Sequence, residues 1–191
     1  MKQRISRFLI QNGGVLLPFA VFLVIYFVGG QLYPAMQKPQ VFFNLFINDS
    51  SLLLVAIGMT MVILTGGIDL SVGGIIALVS TASAAMLRDG VSAYIVMPLM
   101  IVIGVALGAL MGWIIQDLKV QPFIATLMGL FFARGMAYII SLTSVPIRNE
   151  VYKTIALTPI YIPFLPKTYI YITTLVGPIM LLVAIYISYF T

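Results

Sequence analysis

Between Leu52 and Leu87 the chain carries a single charge, Asp69, set in Thr65-Gly66-Gly67-Ile68-Asp69-Leu70-Ser71-Val72-Gly73-Gly74. One straight helix over that run would be about 54 Å long, against a bilayer hydrocarbon core of about 30 Å. The run must therefore break. Gly66 and Gly67 free the backbone, and the side-chain oxygens of Asp69 and Ser71 can satisfy the amides of a new helix N-terminus. A carboxylate beside a helix break in an apolar region is how membrane transporters expose polar backbone to a cavity. The predicted arms are residues Leu52–Thr65 and Leu70–Leu87.

Composition makes lipid the solvent. Hydrophobic residues make up 62% and charged residues 8%, far from the quarter charged share of a soluble domain. Cysteine and histidine are absent. Disulfides, thiolate catalysis, Cys/His metal sites and imidazole acid–base chemistry are thereby excluded. Five acidic residues scattered among apolar runs leave no catalytic pair and no metal cluster. The net charge of +5 comes from basic residues near predicted membrane edges, where topology and anionic lipid explain them better than nucleic acid does. No phosphate-binding Gly-x-x-x-x-Gly-Lys-Ser/Thr motif occurs, so no cofactor is expected on this chain and ATP would bind elsewhere.

The predicted fold is an all-α integral membrane protein, a polytopic bundle of about six transmembrane helices with the Gly-Gly/Asp break between the second and third. Phe8–Gly30 is the first span; a cleaved signal peptide is the rival reading, but no small-x-small cleavage site follows it. Lys2, Arg4 and Arg7 before it place the N-terminus in the cytoplasm. Ala93–Ile115, Phe123–Leu142 and Tyr169–Phe190 are further spans. Pro146, Pro159, Pro163 and Pro166 mark Val145–Thr168 as an irregular loop, with aromatic residues suited to the interface. If both arms of the break cross, Lys38, Arg88, Arg148, Lys153 and Lys167 lie outside. If they cross once together, Arg88 and the loop cations move inside, which the positive-inside rule prefers; the six-span count is taken instead because the family resemblance given below implies it.

Small residues form three ridges at four-residue spacing: Gly73, Ala77, Thr81 and Ala85; Gly104, Gly108 and Gly112; and Ala125, Gly129, Ala133 and Ala137. Such ridges let helix backbones approach closely, within one bundle or between copies. Thr126, Arg134, Tyr138 and Ser141 share one arc of their helix, a polar stripe beside the third ridge. That face lines a cavity, or Arg134 snorkels or pairs structurally, with Asp69 as one partner. Asp69 itself is an N-cap, a pathway residue, or both. The candidate translocation-path or helix-break residues are thus Gly66, Gly67, Asp69, Ser71, Gly73, Thr126, Arg134 and Tyr138.

The contiguous string Gly58-Met59-Thr60-Met61-Val62-Ile63-Leu64-Thr65-Gly66-Gly67-Ile68-Asp69-Leu70-Ser71-Val72-Gly73 resembles the signature of the ribose/arabinose/galactoside class of ABC sugar-import permeases. Lys119-Val120-Gln121-Pro122-Phe123-Ile124-Ala125-Thr126-Leu127 and Phe131-Phe132-Ala133-Arg134-Gly135 resemble the next recurrent segment of that family. Ser144-Val145-Pro146-Ile147 is similar, more specifically, to permeases of galactofuranose importers. The resemblance implies a bacterial inner-membrane translocation subunit rather than an enzyme. Its partners would be an ATP-binding cassette subunit, a second permease subunit and a periplasmic sugar-binding protein delivering a monosaccharide. It also implies that residues 1–191 are one transmembrane domain, the N-terminal part of a longer pattern whose ATPase-contacting segment would follow. Without that segment the chain is not expected to transport alone. Two other readings fit the residues: an ion-coupled secondary transporter using Asp69, and a non-transporting membrane fragment.

Overall fold

The computed structural model describes residues 2–165 and 167–190, with side chains described from residue 12 onward. Lys2, Arg4 and Arg7, as side chains, and Pro166 lie outside the described residues. The helices are α1 (Lys2–Leu32), α2 (Pro39–Leu64), α3 (Val72–Arg88), α4 (Ala93–Gln116), α5 (Pro122–Ile140), α6 (Glu150–Leu157) and α7 (Val176–Phe190). Two short strands, β1 (Pro159–Tyr161) and β2 (Tyr169–Tyr171), pair between α6 and α7. Among the described residues, five helical stretches are long and apolar enough to cross a membrane: Asn12–Leu32, Pro39–Leu64, Ala93–Gln116, Pro122–Ile140 and Ile172–Phe190. The shorter α3, of 17 residues, lies at the lower limit of a crossing helix. The chain is a polytopic helical membrane protein.

Several expected boundaries move. α2 begins at Pro39 rather than Leu52, because the polar run Asn48-Asp49-Ser50-Ser51 holds no helix breaker, whereas Pro39 suits a first helical position. The expected irregular loop Val145–Thr168 instead contains α6 and β1. Asn149 nucleates α6 by accepting the amides of Val151 and Tyr152 at 3.0 and 3.3 Å. The last span enters through β2 and a 3-10 turn, Ile172–Leu175, before α7 starts.

The chain divides into two compact units. The first comprises residues 1–47 and 161–170. There Gln40 grips Tyr169 like a strand neighbour: its Nε2 donates to the Tyr169 carbonyl at 3.1 Å and its Oε1 accepts the Tyr169 amide at 2.8 Å. The ring of Tyr26 on α1 meets that of Phe42 edge-on at 5.9 Å.

The second unit comprises residues 48–160 and 171–191, and α3, α4 and α5 form its packed centre. Leu78, Ala133 and Ala137 are buried together, with Ile75, Leu107 and Ile140 against them. Small residues permit this. A Cβ on Gly74 would lie 2.8 Å from the Leu130 carbonyl oxygen, so α3 and α5 touch backbone to backbone.

Hydrogen bonds orient the helices. Ser83, near the end of α3, bonds Tyr152 of α6 at 2.8 Å, and the Ile172 amide bonds the Thr158 carbonyl just past α6. The end of α3, α6 and the start of α7 therefore lie together. Gly177 of α7 packs against Ser50 and Leu53 of α2. Farther along, Thr60, Met61 and Leu64 share a cavity with Leu181, Ile185 and Ser188. α2 and α7 thus run parallel toward the break, and α3 runs back from it.

Candidate functional site

The break is an ordered turn spanning residues 65–71. Its first half is a helix stop. Gly66 adopts φ +75°, the left-handed conformation that glycine enters without penalty. The Gly66 amide bonds the Ile63 carbonyl at 2.9 Å and the Gly67 amide bonds the Val62 carbonyl at 3.0 Å. Those two bonds constitute a Schellman motif, which satisfies carbonyls that the end of α2 would leave open. The Thr65 hydroxyl adds a third bond, to the Val62 carbonyl at 2.7 Å.

Its second half starts α3. The Asp69 Oδ1 accepts both the Ser71 amide at 2.8 Å and the Ser71 hydroxyl at 2.6 Å. Ser71 immediately precedes α3 and makes no side-chain capping bond of its own. The aspartate thus organises the helix start from two residues upstream, and the serine serves as its partner. Asp69 is half-buried and its second carboxylate oxygen is left without a protein hydrogen bond among the described residues.

α5 holds this turn from the side. Pro122 opens that helix, and Thr126 one turn later is buried. The Thr126 hydroxyl bonds the Pro122 carbonyl at 2.8 Å and reaches the Ile68 carbonyl in the break at 3.2 Å. Ser71 is fully buried and lies against Gly129, where an added Cβ would come within 3.4 Å of the serine Cβ. Met111 of α4 covers the other side of Gly129.

Gly66, Gly67, Asp69, Ser71 and Thr126 are therefore brought together. Gly73, Arg134 and Tyr138 are not. Gly73 faces open space while its neighbour Gly74 makes the α5 contact. The packing ridge of α3 is Gly74, Leu78 and Ala85 rather than one running through Gly73. The two series start one residue apart and share Ala85, and only the facing helix decides which glycine packs. The α5 stripe is likewise split: Thr126 is buried, whereas Arg134 and Tyr138 are exposed. Asp69 and Arg134 form no ion pair; the ion pairs among the described residues are Arg88–Asp89 and Lys153–Glu150. A Cβ added at Gly104, Gly108 or Gly112 would meet nothing within 4 Å, so no helix closes on this ridge, although Gly104 lines a cleft between α3 and α4.

Gly74 and Met111 are structural members of the site that periodicity alone missed, whereas Ala133, a member of the third ridge, is buried where the spacing put it. The adjacent Gly73-Gly74 pair was the one available signal. Among the described residues no three His, Cys, Asp or Glu side chains gather in one group. What the arrangement offers is a rigid polar turn between two apolar helices, with a carboxylate at its centre.

Residues 41–191 match the family described as branched-chain amino acid transport system / permease component. An inner membrane ABC transporter permease protein, YjfF, of Escherichia coli K12 is 39% identical over 147 residues, covering 76% of this chain and 44% of that protein. The fructose import permease protein FruG of Bifidobacterium longum is 41% identical over 124 residues, 65% of this chain and 36% of that protein. The galactofuranose transporter permease protein YtfT of E. coli K12 is 46% identical over 88 residues, 46% of this chain and 26% of that protein. The chain thus spans less than half the length of these relatives. No solved structure matches. With the family match covering the break, the packed centre and every span after α1, the chain belongs to this family of transport-system permease components.

Proposed function

We propose that the chain is part of the membrane-spanning permease subunit of an ATP-driven, binding-protein-dependent importer of monosaccharides, with galactofuranose among the candidate substrates. The observation that carries this reading is the family match over residues 41–191, laid on the ordered turn between α2 and α3. Relatives named as ribose, fructose and galactofuranose permeases support the sugar class. The chain is a translocation component in this reading. ATP is hydrolysed by a separate ATP-binding cassette subunit, a periplasmic sugar-binding protein delivers the substrate, and a second permease subunit, identical or different, completes the pathway. The membrane is the bacterial inner membrane, with the N-terminus cytoplasmic. That orientation puts the Gly66–Ser71 turn near the cytoplasmic ends of α2 and α3 and the α6 region outside.

Asp69 shapes the start of α3 rather than carrying an ion. Asp69→Asn keeps an oxygen for the Ser71 amide and hydroxyl, whereas Asp69→Leu removes it. In cells producing the complete permease with its ATPase and binding protein, uptake of labelled monosaccharide should largely survive Asp69→Asn and fall at least tenfold in Asp69→Leu. Uptake should depend on ATP and resist protonophores. Equal loss in both variants at normal membrane levels, with sensitivity to protonophores, would instead indicate an ion-coupled carrier.

A further inference from the structure

We propose that a pocket between the end of α3 and the segment leading into α6 binds a phosphate group, and that its occupant in the membrane is the phosphodiester of an anionic glycerophospholipid. Leu87, Arg88, Val145, Pro146, Arg148 and Asn149 line the pocket, whose volume is about 490 Å³. It differs in kind from the clefts between α2 and α7 and between α3, α4 and α5, which are walled almost wholly by apolar side chains.

Two arginines from distant parts of the sequence line it, and of the two only Arg88 has an acidic partner among the described residues. The Arg88 Nε donates to the Asp89 Oδ1 at 3.2 Å, which leaves the Nη groups of Arg88 for a ligand. Glu150, the other nearby acid, is taken by the Lys153 Nζ at 2.7 Å. Arg148 has no ion pair among the described residues. Asn149 spends its carbonyl oxygen on the start of α6, so its amide hydrogens are available to an acceptor.

The two walls are fixed relative to each other. The Ser83–Tyr152 hydrogen bond at 2.8 Å ties α6 to α3 and so holds Arg148 near Arg88 before any ligand arrives. Guanidinium forks match phosphate oxygens in geometry and charge, and such charge-assisted bonds are the stronger class. Position selects the source of the phosphate. Val72–Arg88 has no charge before its final residue, so Arg88 sits where an apolar crossing helix meets the headgroups. Leu87, Val145 and Pro146 supply an apolar edge for the glycerol and the first acyl carbons.

The test uses the complete purified protein carrying this chain, stripped of lipid in detergent. Native mass spectrometry and thermal unfolding are followed with added phosphatidylglycerol, phosphatidylcholine or inorganic phosphate. Phosphatidylglycerol should bind and stabilise, phosphatidylcholine should do so more weakly, and inorganic phosphate should have little effect. Arg148→Gln, a change at an exposed side chain, should weaken phosphatidylglycerol binding about tenfold, and adding Arg88→Gln should weaken it further. Unchanged phosphatidylglycerol binding in a folded Arg148→Gln variant overturns the site. Inorganic phosphate binding as tightly as the lipid, and with the same arginine dependence, overturns the lipid assignment and makes the occupant a soluble anion. Should the double variant fail to fold, the single variant decides.

Discussion

A methyl group at Gly74 would sit 2.8 Å from the Leu130 carbonyl oxygen, whereas at Gly73 it would meet nothing within 4 Å. Two adjacent glycines therefore have opposite tolerances, set by which one faces α5. Gly74→Ala should lower stability by about 1–3 kcal/mol, because the obstructing atoms are backbone and the helices must separate. Gly73→Ala should be neutral or slightly stabilising, since it replaces glycine by the best helix former on an open face. Gly66 has a third character: space is open, but its φ of +75° is costly for any side chain. Gly66→Ala should cost about 1–2 kcal/mol. Thermal unfolding of the three variants in one detergent checks the order, and equal loss at Gly73 and Gly74 would contradict the α3–α5 contact.

At the scale of the element, α5 is a helix with two duties. One face, Ala125, Ala133 and Ala137, is buried against the packed centre. Arg134 and Tyr138 lie on the uncovered side, Tyr138 60% exposed. An arginine that far inside a crossing helix is expensive against hydrocarbon, so we expect this side to face water or another polar surface in the working protein. Residues 1–191 hold no cysteine, so a cysteine introduced here into an otherwise cysteine-free version of the protein reports its own position. In the complete protein, cysteine at Tyr138 should react with a water-soluble thiol reagent at least tenfold faster than cysteine at Ile139, although Ile139 is the more exposed of the two here at 78%. Equal rates would assign Arg134 to snorkelling along a lipid-facing helix.

For the whole molecule, the direction of α3 decides the topology. Because α2 runs toward the break and α3 runs back, we expect residues 52–87 to cross twice; Leu118 and Leu142 flank α5 at opposite ends. Leu142 is 83% exposed and Leu118 56%, so both accept a probe. With the N-terminus inside, cysteine at Leu142 should be labelled by an impermeant reagent from outside intact cells. Cysteine at Leu118 should be labelled only after the membrane is opened. The reverse pattern would invert the protein, and labelling of both from one side would abolish the α5 span. The outside basic residues that this arrangement requires run against the positive-inside count. The Arg88–Asp89 and Lys153–Glu150 pairs offset two of them, and the proposed phosphate site would occupy Arg148.

The class of the molecule and the position of the break were determined by local chemistry, so the sequence alone was enough for both. An apolar run longer than a bilayer is thick has to turn, and Gly66 with Asp69 are residues whose own backbone and side-chain bonds make the turn. These bonds span only a few residues, and the hydrophobic composition is a sum over all of them. The spans after α2 were legible for the same reason. What required the tertiary structure was every choice between equivalent faces. Periodicity could not tell Gly73 from Gly74 on α3, could not split Thr126 from Arg134 on α5, and could not show that no helix closes on the Gly104–Gly108–Gly112 ridge. In lipid, an outward and an inward face are both apolar, so no hydrophobic contrast in the sequence records which is which. The pairing of Arg88 with Arg148 was likewise settled only when α6 folded onto α3, through one hydrogen bond between residues far apart in the chain.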